Sequence, residues 1–120
     1  MEPVNIREIL SNKGQMSADE LAQLQRAIAS DQVAQARVDI EALVREVEAG
    51  GGGSGSAARA GIGAYLLGQH AIAERLLSGI PGDGTALYVL GLALLSLERP
   101  ADAEQKFAAA AREVADLRKT

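Results

Sequence analysis

The chain has 120 residues, a formal net charge of −4, no cysteine, and aromatic residues at only 2%. That size leaves room for one ordinary domain or two very small ones, and the lack of cysteine rules out disulfides and thiolate metal sites. The absence of any Lys/Arg cluster speaks against a nucleic-acid partner. No apolar run approaches the roughly 18 residues of a membrane span and no basic-then-apolar leader is present, so a cytoplasmic protein with no membrane span is expected. Ala, Leu, Glu, Gln and Arg dominate, which predicts an all-α fold closely packed through small side chains.

Residues 1–15 carry Pro3, Gly14 and the apolar cluster Val4, Ile6, Ile9 and Leu10, a spacing that allows a turn or two of helix. Ser17 and Glu20 then form the signature of a capping box, with Met16 and Leu21 at the positions of a hydrophobic staple. A helix over about 18–29 follows, its apolar face running Leu21, Leu24, Ile28. The phase breaks near Ser30, and Val33, Ala36, Ile40, Leu43 and Val47 start a new seam with alternating steps of three and four. This predicts a second helix over about 32–49, capped by Ser30 or Asp31. Periodicity leaves open whether the two are a hairpin or one kinked helix, and the hairpin is favoured. Together these eight apolar residues form the docking face expected of segment 1–49.

Residues 50–56 read Gly-Gly-Gly-Gly-Ser-Gly-Ser, a composition that cannot pack a core. It is expected to be a flexible linker of the kind inserted by design between the partners of a fusion protein. Charge supports two unlike pieces: the residues before the run hold 9 acids and 5 bases, those after it 7 of each.

The part from 57 to 120 aligns with itself at an offset of 30, pairing Gly61 with Gly91, Leu67 with Leu97, Ala73 with Ala103, Glu74 with Glu104 and Leu77 with Phe107. Each unit is expected to be a helical hairpin in which Gly61 and Gly91 let Ala73 and Ala103 of the second helix cross closely. The run from Gly79 through Pro81 to Gly84 should separate the units, with Thr85 capping the next helix and Pro100 at a first helical position. Helices are thus placed at about 57–68, 70–79, 85–98 and 100–117.

The second unit resembles a tetratricopeptide repeat, through Leu90-Gly91 in its first helix and Ala103, Phe107 and Ala110 in its second. The first unit keeps Gly61, Gly68 and Ala73 but has Leu77 where the family usually has an aromatic, and the period is shorter than the customary 34 or so. The resemblance covers residues 57–113 and implies two degenerate tetratricopeptide-like hairpins, packed here with an N-terminal helical hairpin. It also implies a concave face, which carried across falls on Ala58, Ile62, Tyr65 and Leu66, then Tyr88, Leu92, Leu95 and Ser96. The basic and amide residues with which some members clamp a peptide's terminal carboxylate are missing, since Ala58, Ile62, Tyr88 and Leu92 stand there. The expected partner-binding groove is therefore Ile62, Tyr65, Leu66, Tyr88, Leu92 and Leu95, suited to an amphipathic helix.

Chemistry at a catalytic centre is not expected. His70 has no second histidine or cysteine to share a metal and is expected to be exposed. Ser54 and Ser56 lie in the glycine run, which itself lacks the Lys-Ser/Thr ending of a phosphate loop. Asp19-Glu20 and Glu46/Glu48 have cap or solvated-face explanations. The chain thus reads as a protein-interaction unit, with no enzyme activity, cofactor, metal or small-molecule substrate. Its N-terminal segment would dock on the repeats, leaving a further helical client conceivable. By size and repeat type it resembles bacterial type III secretion chaperones, which implies a chaperone or adaptor role in protein transport. The alternative is a self-assembling scaffold with the N-terminal segment as its seam.

Overall fold

A computed structural model of the chain describes residues 3–12, 14–80 and 82–119, and among these it is all-helical. The helices are α1 (Ile6–Ser11), α2 (Ala18–Ile28), α3 (Val33–Glu48), α4 (Ser54–Leu66), α5 (His70–Leu77), α6 (Gly84–Ser96) and α7 (Pro100–Lys119). Helices α2 and α3 are separate arms of a hairpin.

Local chemistry sets most of these ends. The Ser17 hydroxyl accepts from the Glu20 amide and the Glu20 carboxylate accepts from the Ser17 amide, each at 3.0 Å, completing the capping box at α2. Helix α3 departs from expectation: its N-cap is Gln32, without a side-chain cap, and neither Ser30 nor Asp31 serves. The Gln32 amide is used elsewhere, accepting from the Val4 amide at 3.0 Å and donating to the Val4 carbonyl at 2.9 Å, which pins the extended chain before α1. At α6 the cap is Asp83, which accepts from the Ala86 amide at 3.0 Å. Thr85, expected in that role, donates its hydroxyl to the Met16 carbonyl instead. Pro81, one of the expected breakers before α6, lies outside the described residues.

The glycine run is not one uniform tether. Gly50 takes φ +93° and closes α3, with its own amide on the Val47 carbonyl and the Gly51 amide on the Glu46 carbonyl, a left-handed helix stop. Ser54, Gly55 and Ser56 already belong to α4, three residues before the expected start. Only Gly52 and Gly53 remain between the two.

One hydrophobic core spans both sides of the run, from Ile9, Leu24 and Ile40 to Ile62, Leu77, Leu90 and Leu94. Helix α4 sits at its centre, touching, among the described residues, every other helix except α7. It can do so because its residues are small. A Cβ on Gly63 would stand 2.9 Å from Ile40 of α3, and one on Gly61 would stand 2.6 Å from Leu77 of α5. The neighbours pressed onto Gly61 and Gly91 are therefore Leu77 and Phe107, not Ala73 and Ala103, which are nonetheless fully buried.

The turns after α4 and α6 share one geometry. Gly68 (φ +83°) and Glu98 (φ +62°) take the left-handed position, and the amides of Gln69 and Arg99 reach back to the carbonyls of Ala64 and Leu94.

Candidate functional site

Helix α6 carries no charged residue in its sequence GTALYVLGLALLS. It packs on α4, α5 and α7. On its remaining side an open groove of about 630 Å³ runs between α2 and α7. Tyr88 and Leu92 lie on the groove floor with Gly84 and Thr85. Gln15, Ala18 and Leu21 form one wall, while Phe107, Ala110, Ala111 and Glu113 form the other. The rings of Tyr88 and Phe107 meet at 5.7 Å between centroids with a 47° tilt, so floor and wall are locked by an aromatic pair. Tyr88 is still 49% exposed, and Leu95, one helical turn beyond Leu92, is 47% exposed. Among the described residues Glu113 is the only charged side chain lining the groove.

The residues expected to form the groove divide. Tyr88 and Leu92 line it, and Leu95 extends their stripe along α6. Ile62 is fully buried in the core, and Tyr65 and Leu66 are half-buried against it, so α4 presents no open face. The cause is the N-terminal segment, whose α1, α2 and α3 all cover α4. In its docking face, Leu24, Ala36 and Ile40 are buried, and Leu21, Ile28, Leu43 and Val47 are half-buried. Val33 is 37% exposed and stands outside the seam, which Val44 completes instead. Leu21 also faces the groove. His70, expected to be exposed, is half-buried with its ring 5.4 Å from that of Tyr65.

A residue the sequence reading passed over holds these parts together. Arg59 of α4 is fully buried. Its Nη1 and Nη2 donate to the two carboxylate oxygens of Glu20 at 3.1 and 3.3 Å, and Nη2 donates to the Gly14 carbonyl at 2.8 Å. Nη1 also donates to the Ile9 carbonyl in the last turn of α1. The guanidinium beside it, with help from the Ser17 amide, holds the Glu20 carboxyl down at about 2. The available signal was that Arg59 is the only charged residue in the run from Gly50 to Gln69. The sequence marks Glu20 only as a cap; in the structure it is both cap and counter-ion.

Among the described residues no group of His, Asp and Glu is arranged to hold a metal ion, and no helix is long and apolar enough to cross a membrane. Comparison with protein-family models, with curated proteins and with solved structures finds no match.

Proposed function

We propose that the chain is a protein-interaction module that holds an amphipathic helix of a protein partner in the groove between α2, α6 and α7. The observation that carries this reading is an open apolar groove of about 630 Å³ on a helix without a charged side chain. A helix apolar all round is ordinarily covered all round, yet one side of α6 is left to Tyr88, Leu92 and Leu95. Their steps of four and three give a stripe about 10 Å long, the ridge into which side chains of a second helix interlock. The carboxylate of Glu113 at the groove and the chain's charge of −4 favour a helix with basic flanks.

On this reading the N-terminal segment is part of the receptor, since it covers α4 and supplies one groove wall, and the client is a further protein. The tetratricopeptide-like reading is supported by two features that recur 30 residues apart: the left-handed turns at Gly68 and Glu98, and the large side chains pressed onto Gly61 and Gly91. A chaperone or adaptor role, as in the type III secretion chaperones that the chain resembles, follows from that likeness.

The test is fluorescence anisotropy with labelled amphipathic peptides of about 18 residues, five helical turns, one of Leu and Lys and one of Leu and Glu. The basic peptide should bind saturably, more tightly than the acidic one, and Leu92→Glu should weaken it at least about tenfold by placing an unpaired charge on the groove floor. No saturable binding, or binding indifferent to Leu92→Glu, would overturn the reading. A concentration-dependent dimer that Leu92→Glu dissolves would assign the groove to a second copy of the chain and favour the scaffold.

A further inference from the structure

We infer that Arg59 and Glu20 set the position of the groove's α2 wall, so that a buried side chain with no surface in the groove controls its width. Helix α2 packs on α1, α3 and α4 but stands clear of α6 and α7 across the groove. The part of α2 that forms the wall is its first turn, where Ala18 and Leu21 flank Glu20.

That turn is gripped from two sides. Behind it, the Arg59 fork engages both oxygens of Glu20, and the same guanidinium holds Gly14 and Ile9. A two-point carboxylate contact fixes orientation as well as distance, which a single ammonium cannot do. Glu20 passes that constraint into the helix through its bond to the Ser17 amide. Ahead of the turn, the Met16 carbonyl accepts from Thr85 at 3.1 Å, and Gln15 donates to the Gly82 carbonyl at 2.7 Å. These are single bonds near the start of α6, and Gln15 is exposed. The stiffer of the two grips is thus Arg59, which lies outside the groove and couples to it through one carboxylate.

A merely stabilising Arg59 would change how much of the chain is folded and leave the groove of folded molecules unaltered. A positioning Arg59 changes the groove itself. The chain has no cysteine, so spin labels can be placed singly at Ala18 and Ala111, exposed residues on the two walls. A control pair goes at Ala71 and Ala101, exposed on α5 and α7. Pulsed electron–electron distance measurement on the full chain should give a narrow 18–111 distribution. In Glu20→Gln, which keeps the shape of the side chain but not its two acceptors, that distribution should broaden or lengthen while 71–101 stays put. Arg59→Lys should broaden it too, and Arg59→Met most of all if that variant folds. Superimposable 18–111 distributions in parent and folded Glu20→Gln chains would overturn the inference.

Only one further arm rests on the helix-binding reading: the basic peptide should bind Glu20→Gln about tenfold more weakly. Broadened distances with no peptide binding to the parent would uphold the wall and reject that reading. Unaltered distances with strong binding would do the reverse.

Discussion

A Cβ atom on Gly91 would stand 2.5 Å from the ring of Phe107. That is inside any tolerable contact, so the α6–α7 crossing exists only because residue 91 has no side chain. Gly91→Ala should gain roughly 1 kcal/mol from helix propensity and lose about 2–3 kcal/mol, the upper part of the overpacking range, because the added Cβ would meet the Phe107 ring on three atoms. A net loss of about 1–2 kcal/mol in urea unfolding is expected, recovered in part by Gly91→Ala with Phe107→Leu. If the single variant is as stable as the parent, Phe107 moves aside freely and the crossing is looser than described.

Glu98 occupies a left-handed position that Gly68 fills at the equivalent turn. An L side chain there costs about 1–2 kcal/mol. Glu98→Gly should therefore raise the melting temperature by a few degrees, and Gly68→Ala should lower it by a similar amount. The direction at each turn is the diagnostic, because the effect of glycine on the unfolded chain alone would reverse both signs.

The depressed Glu20 carboxyl makes stability depend on acid. Its folded value of about 2 lies below the ordinary 4.5. The contribution is therefore complete above about pH 5 and is lost as the pH falls through 4.5 toward 2. Glu20 keeps a fifth of its side chain solvated, so at most about 2 kcal/mol is expected after screening. Melting curves between pH 6 and pH 2.5 should fall less steeply for Glu20→Gln than for the parent. Parallel curves would show that other carboxylates govern the acid response.

Cutting the chain between Gly52 and Gly53, through an inserted protease site, should leave the two parts associated. They are joined by Ile40 seated on Gly63, by Arg59 on Glu20 and by Glu48 on Arg75. Size-exclusion chromatography should return both fragments in one peak at micromolar concentration, with melting now dependent on concentration. Two helical fragments eluting apart would mean that the connection at 50–53 is indispensable.

What could be read from the sequence was what neighbours in the chain decide. Ser17 and Glu20 are three residues apart, and their capping box forms as the spacing demands. Ala36 and Ile40 keep one face of one helix, and they are buried. Tyr88 and Leu92 share a helix face that the structure leaves in the groove. The failures lie where distant residues decide. The tetratricopeptide resemblance assigns Ile62 to the groove, and its own helix cannot show that α1, α2 and α3 will cover it. Arg59 finds its partners 39 to 50 residues away, so no local pattern announces it. Ser54 to Ser56 are poor helix formers that are helical beside a packed α4, where tertiary contacts outweigh propensity.

Among the described residues helix α4 touches every other helix but α7, and α7 rests on α6 alone. The centre of the core and the α7 wall of the groove therefore belong to different time scales. Amide protons of α4 are expected to exchange only when the whole chain opens, whereas those of α7 can exchange through a partial opening that leaves the rest intact. On the proposed helix-binding reading, a client would then enter from the side of Phe107 and Ala111, past the wall that breathes.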